Sequence, residues 1–394
     1  MIPRTKVNYR LADLARASLV RERTQSKRQA LIQELGTLFS STYILLTASG
    51  RGALYALLSC LPQRRVVLPA YTCTAVVEAV RLAGKEALFA ECEDDGFNMS
   101  PQSAKPLLDA DTILLATHQF GIPCDIRAML QLAREAGAFV IEDAAASLGS
   151  KVHGQLTGSF GDAAFFSFDS TKLVNVPLKG GFLCLRDAVI YQRCADFLDA
   201  HTRPMPTGRK LRYLLLGAIL VLLDNPFLYR CFHNLKFRWR GRFTDESANL
   251  NSALGPFYLD RLAEWQASII LPQIQNLGQL VATRRRLYAD YLAKLCGLKG
   301  ISLPPPDICG EWAPIRFPIR VHGDKMAFYW QSVRRGVDHA FSFTFIACPA
   351  DFKAAHRLAA SILDIPFYHR LSNTELDRVV NVVRELDSAI KPRG

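Results

Sequence analysis

The sequence predicts an α/β fold: a large domain with a mostly parallel sheet sandwiched by helices, followed by a smaller C-terminal α+β domain. Three observations carry this. Short apolar runs alternate with helical patterns from about residue 40 to 190, and that alternation produces layered α/β structure. The character changes after residue 255, where long helical stretches flank a single strand-like run. The chain has 394 residues, 49 % hydrophobic and 21 % charged, enough to bury a large core and too apolar for disorder. The expected division is residues 1–255 and 256–394.

Taken in order, the strand-like runs of the first part are Arg65–Pro69, Ala87–Ala90, Thr112–Thr117, Ala138–Glu142, Ala163–Phe168 and Gly181–Leu185. Between the third and fourth lies a helical stretch that Asp125 can cap at its start and Gly137 can end. The second part should open with a long helical region, Arg261 to Leu295. The Pro304–Pro306 run breaks it, a strand Arg316–Val321 follows, and the last helix starts at the capping box Ser372-x-x-Glu375.

One segment, Gly208 to Arg242, fits neither part. Arg209, Lys210 and Arg212 precede the uncharged run Tyr213–Leu223, and aromatic residues with further arginines follow. Eleven helical residues rise about 16 Å, half of a ~30 Å hydrocarbon core, so the run is too short to span a bilayer. Three readings stay open: a buried helix with a basic surface loop, an element lying in a membrane interface with its cations on anionic headgroups, or a dimer contact.

The formal net charge is +12, which favours anionic partners without choosing among them. Nucleic acid is not expected, because the basic residues gather in one apolar insertion without a recognition motif. None of the ten cysteines forms a Cys-x-x-Cys pair. Reduced thiols in a cytoplasmic protein are therefore expected, with neither a disulfide framework nor a metal site. Met1–Arg10 is polar and basic, so no secretory signal is expected there.

In parallel sheets ligands sit beyond the carboxyl ends of the strands, and three candidates fall there. Asp143 follows the run Ala138–Glu142. A carboxylate so placed can keep a pyridine nitrogen protonated; equally, it can cap a helix over Ala144-Ala145-Ala146. Lys172 follows Ala163–Phe168, and a desolvated lysine is a nucleophile toward aldehydes, although an isolated lysine is ordinarily just a surface residue. Ser167 precedes it and can bond a phosphate oxygen. Finally, Gly50, Arg51 and Gly52 in Ser49-Gly-Arg-Gly-Ala-Leu54 stand before a helical run, where backbone N–H groups suit an anion and Arg51 can add a charged fork. The same pattern also fits an ordinary loop.

In combination and order, these pieces resemble fold-type I pyridoxal-phosphate enzymes, and more narrowly the DegT/DnrJ/StrS sugar aminotransferases, along nearly the whole chain except about residues 205–250. Ser49-Gly-Arg-Gly-Ala-Leu54 is similar to that family's Ser-Gly-Thr-x-Ala-Leu, and Leu68-Pro-Ala-Tyr-Thr-Cys-Thr74 to its Val-Pro segment. His118-Gln-Phe-Gly-Ile-Pro-Cys-Asp125, Ile141-Glu-Asp-Ala-Ala145 and Gly161-Asp162 follow its pattern. Phe166-Ser-Phe-x-x-x-Lys172 with Gly180-Gly181 is the most specific match, and Leu363-Asp-Ile-Pro-Phe367 with Leu371-Ser372 resembles its ending.

The resemblance implies pyridoxal 5′-phosphate as cofactor. It implies that Lys172 bonds the cofactor's aldehyde carbon and shuttles a proton, and that Asp143 pairs with the ring nitrogen. Ser167 and the backbone around Arg51 and Gly52 would hold the phosphate. It further implies transamination from an amino acid, glutamate, to a nucleotide-linked keto-sugar for surface polysaccharide or glycan synthesis, in a homodimer. The segment 208–242 could place the enzyme at the inner face of a membrane.

Departures from the family pattern sit at the periphery. Cys73 replaces a ring-stacking aromatic, Ala146 a Gln or His, Arg51 a Thr, and Lys179 a Glu. Leu259-Asp260-Arg261 replaces Asn-Tyr-Arg. Two rivals stay open: another pyridoxal-phosphate reaction, such as decarboxylation or a dehydration that the presence of Lys172 disfavours, and a degenerate membrane-bound scaffold.

Overall fold

The computed structural model describes residues 1–22, 26–40, 43–240, 250, 253–344 and 346–389. Among the described residues, twelve strands form three sheets: β1 (Tyr43–Thr47), β2 (Arg65–Pro69), β3 (Glu86–Ala90), β4 (Thr112–Thr117), β5 (Phe139–Asp143), β6 (Lys151–Val152), β7 (Gln155–Leu156), β8 (Ala163–Ser167), β9 (Gly181–Leu185), β10 (Ile301–Ser302), β11 (Phe317–Val321) and β12 (Ile362–Ile365). The main sheet has seven strands in the order β1-β9-β8-β5-β4-β2-β3. Strands β3, β2, β4, β5 and β8 pair in parallel, while β9 lies antiparallel to both of its neighbours, β8 and β1. The fold is therefore α/β with a mostly parallel mixed sheet, as expected.

The central strands β2, β4, β5, β8 and β9 are almost wholly buried, which explains why they appear in the sequence as unbroken apolar runs rather than alternations. Strand β1, with its half-exposed pattern, gave no such run. The small antiparallel sheet β10-β11-β12 has its own core of Phe317, Ile319, Leu363 and residues of the last helix, such as Val379 and Val383.

The helix Ile126–Ala136 starts at Asp125, whose Oδ1 accepts from the Ala128 N–H at 3.1 Å, and ends at Gly137 with φ 72°. The capping box at Ser372 is present in both directions, Ser372 N to Glu375 Oε2 at 2.9 Å and Glu375 N to Ser372 Oγ at 3.2 Å. The long helix expected over 261–295 is instead two, Glu264–Gln275 and Leu277–Leu295, broken at Asn276. Pro272 precedes the break, lacking the N–H that would extend the ladder. Trp265, Ile270 and Val281 join the core beneath the main sheet, so this helix pair serves the large layer; the division at residue 255 stays a proposal.

The segment after Gly208 also departs from expectation. It forms two helices, Thr207–Leu222 and Pro226–Arg240, not one helix and a loop. Asn225 Oδ1 accepts from the N–H groups of Phe227 and Leu228 and Pro226 sits at the first helical position, a start signal present in the sequence. Arg242 lies outside the described residues. All ten cysteines are free thiols; Cys231, Cys296 and Cys309 are exposed.

Candidate active site

The carboxyl ends of β5 and β8 lie side by side: Asp143 is in register with Thr117 of β4 and Phe165 of β8, and Ser167 pairs with Gly181 of β9. This rim carries the expected residues. Asp143 is buried, and its Oδ1 accepts from the Ala145 N–H at 3.1 Å. No helix follows; residues 145–149 form turns, so the carboxylate caps a turn while facing the rim.

Burial pushes the Asp143 carboxyl above the usual range, opposed by the charge of Lys172, the Ala145 N–H and His118. Burial likewise pushes the Lys172 ammonium below the usual lysine range, against the pull of Asp143 and Asp169, while Arg316 adds to the depression. Each group thus feels the other's charge across the rim. Desolvation acts on the two in the same sense, favouring their neutral forms. A lysine held this way has more of the free amine that attacks a carbonyl carbon.

The strand ends are held from behind. Glu142 is fully buried; its Oε1 accepts from the N–H groups of Phe160 at 2.6 Å and Gly161 at 2.8 Å, and its Oε2 from Gly158 at 2.7 Å. His118 Nε2 lies 3.0 Å from Oε2, and His118 Nδ1 accepts from the Cys124 N–H at 3.2 Å. An accepting Nδ1 leaves Nε2 as the donor to Glu142. This fixes the loops after β4 and before β8, and with them the position of Asp143. Gly121 (φ 88°) closes the same loop, where a Cβ would clash with the Ala313 carbonyl.

The helix Gly50–Cys60 points its N-terminus at Ser167. A Cβ on Gly50 would come within 3.0 Å of Ser167 Cβ, and one on Gly181 within 2.6 Å of Gly50 N. Ser49 caps the helix, its Oγ accepting from Gly52 N at 3.0 Å and donating to the Phe257 carbonyl at 2.7 Å. The N–H groups of Gly50 and Arg51 have no acceptor among the described residues. Two such N–H groups beside a serine hydroxyl suit a phosphate.

The Arg51 side chain, expected as a charged fork, already has a partner inside the protein. Its Nη1 sits 3.0 Å from Glu78 Oε1, which also accepts from the Tyr258 hydroxyl at 2.5 Å. A buried carboxylate holds one end of the guanidinium, while the backbone N–H of Arg51 has no acceptor among the described residues. The N–H of Gly52 is taken by Ser49.

Sequence reasoning missed the residues that hold the Lys172 loop. Gln273 accepts from Asn175 N at 3.0 Å and donates to its carbonyl at 2.8 Å. Asn175 donates in turn to the Lys172 carbonyl at 3.0 Å. Gln266 donates to the Lys179 carbonyl at 2.8 Å, and Asn8 bonds Asn175 and the Leu173 carbonyl. Gln266, buried, and Gln273, half-buried, stand seven residues apart on the helix Glu264–Gln275, a polar spacing in an apolar helix that could have flagged them. Lys179 pairs with Asp169, and its Nζ also lies over the Phe257 ring.

The altered peripheral positions fall into two groups. Cys73 starts the helix Thr74–Leu82 and is near enough to Lys172 to influence its charge. The Leu259–Arg261 segment is tied elsewhere: Asp260 is buried against Arg209, and Arg261 bonds Thr202 Oγ1 at 3.1 Å and the Asp199 carbonyl at 3.1 Å.

Comparison with known proteins agrees with this architecture. Residues 10–384 match the model of the DegT/DnrJ/EryC1/StrS aminotransferase family. The UDP-N-acetyl-3-dehydro-alpha-D-glucosamine 3-aminotransferase of Acidithiobacillus ferrooxidans is 25 % identical over 368 residues, 90 % of this chain and 87 % of that protein. GDP-perosamine synthase of Escherichia coli O157:H7 is 32 % identical, but over only 34 % of this chain and 36 % of its own length. The structure of NtdA from Bacillus subtilis, with bound cofactor PMP, superposes with a TM-score of 0.72 at 18 % identity, covering 97 % of this chain and 83 % of that one. With a family model spanning nearly all of it, the chain belongs to the DegT/DnrJ/EryC1/StrS aminotransferase family.

Proposed function

We propose that this protein is a pyridoxal 5′-phosphate-dependent aminotransferase that takes an amino group from an amino acid, glutamate, and delivers it to a nucleotide-linked keto-sugar for surface polysaccharide or glycan synthesis. The observation that carries the reading is the pair Asp143 and Lys172: a buried acid at the end of β5 and, after the neighbouring strand β8, a lysine whose ammonium is disfavoured by burial. Relatives named for UDP-, GDP- and dTDP-linked sugars support the acceptor class, and the +12 charge favours such anions.

The rim fits this cofactor. Asp143 would hold the ring nitrogen in its protonated form, Ser167 and the N–H groups of Gly50 and Arg51 would take the phosphate, and Lys172 would bond the aldehyde carbon. When bound, the group supplies an electron sink for charge developing on the substrate's Cα. The chain's own work is to position and to move protons. Lys172 takes the Cα proton and returns it on the cofactor side, a task suited to an amine whose pKa lies below the usual range. The Glu142–His118 bonds hold the carboxylate of Asp143 in place throughout, while Asn175 and Gln273 fix the backbone from which Lys172 swings.

We place the enzyme in the cytoplasm as a homodimer. The test is to convert the protein to its amine-loaded form and add nucleotide keto-sugars one at a time. Return of the aldehyde absorption with one of them, accompanied by the aminated sugar, supports the proposal. A protein that binds the cofactor yet stays unchanged with all of them supports the scaffold alternative.

A further inference from the structure

The helical pair Thr207–Leu222 and Pro226–Leu235, bent by 114°, has two faces. Tyr213 and Gly217 face inward; a Cβ on Gly217 would meet Pro177 at 2.7 Å and Leu14 at 3.3 Å. In the second helix Tyr229 bonds Asp338 at 2.5 Å, and His233 lies 3.2 Å from the Tyr329 hydroxyl. The outward face is apolar. Leu211, Leu215, Ile219 and Leu222 form a row at helical spacing, with Leu211 69 % and Leu215 61 % exposed. Phe227, 72 % exposed, and Phe232 continue it on the second helix. Lys210 bonds the carbonyls of Ser18 and Val20, setting the exposed Leu19 beside the row's start. Single exposed leucines are ordinary, but a row along two consecutive helices is an interaction surface.

Its charge identifies the occupant. Arg212 and Arg230 are exposed on the two helices. The sole acid between 207 and 240 is Asp224, held by Arg370 at 2.5 Å. In an isologous contact with a second copy these arginines would find no carboxylate of the same surface to pair with. An anionic headgroup layer supplies that charge, with an apolar interior beneath for the leucines. No single described helix is long enough to cross: sixteen residues give about 24 Å against a core of about 30 Å, and an inward face on each helix of the bent pair is packed on the protein, which favours lying flat.

We infer that the outward face of the 207–235 helical pair docks flat on an anionic bilayer surface. Because Gly217 packs on Pro177, five residues after Lys172, docking brings the catalytic loop toward the lipid.

The test uses the full-length protein loaded with cofactor, sedimented with vesicles of phosphatidylglycerol and phosphatidylcholine or of phosphatidylcholine alone. Binding is expected only to the former, weakening as salt rises. Arg212→Ser with Arg230→Ser should lower it about fivefold per charge, and Leu211→Glu with Leu215→Glu should abolish it. Both variants should keep the cofactor absorption and the oligomeric state of the parent, which shows that they fold. Equal binding to neutral vesicles, full binding by the leucine variant, or a leucine variant that changes the oligomeric state while the parent ignores vesicles would each overturn the inference.

Discussion

The rim around Asp143 and the outer face of the 207–235 helices solve opposite problems. At the rim, polar groups have left water, and each must find a partner inside the protein: Glu142 collects three backbone N–H groups and an imidazole, and Asn175 is held by Gln273 and Asn8. On the outer face apolar groups remain in water without compensation. The first arrangement satisfies its buried carboxylate and amides largely from within the chain. The second is open and requires something external. A closed polar network reports on chemistry, and an open apolar surface on location.

The contrast can be broken most forcefully at Glu142. Glu142→Ala leaves three N–H groups buried without acceptors and should cost about 3–5 kcal/mol, read by denaturant unfolding. A loss under 1 kcal/mol would mean that the network is not what holds the rim.

The next effect concerns acid. Asp169 is pushed by burial toward higher pKa, but the Lys179 ammonium outweighs this and holds it at about 2. A carboxyl depressed from its usual 3.8 stabilises the folded state above that pH and loses the contribution as pH falls toward 2. Lys179→Met should therefore cost about 2 kcal/mol at neutral pH, the gap to the parent closing on acidification. A gap independent of pH would locate the effect in packing instead.

The smallest effect separates backbone from side chain at Arg51. Arg51→Thr removes the partner of Glu78 and should cost about 1 kcal/mol of stability while leaving cofactor affinity within about twofold. A large loss of affinity would return the guanidinium to the phosphate.

How much of this was legible depended on sequence distance. The strand ends carrying Asp143 and Ser167 appear as apolar runs followed by chemistry-bearing residues, because buried parallel strands write themselves locally. The caps at Asp125 and Ser372 were legible for the same reason. The fate of Arg51 was not, since Glu78 lies 27 residues away and Tyr258 still farther from it. Nor were the ties from Gln273 and Asn8 to Asn175, which span 98 and 167 residues. The second surface helix carries a start signal at Asn225-Pro226, but its aromatic and basic residues resemble a loop composition.

The central claim is that Lys172 is the amine that bonds the cofactor. Borohydride reduction of the purified yellow protein, digestion and mass spectrometry test it directly. The account predicts a pyridoxyl group on the peptide containing Lys172 and its loss in Lys172→Ala, together with a fall in turnover of about 10³-fold or more. Finding the group on another lysine, or full turnover without Lys172, would contradict it.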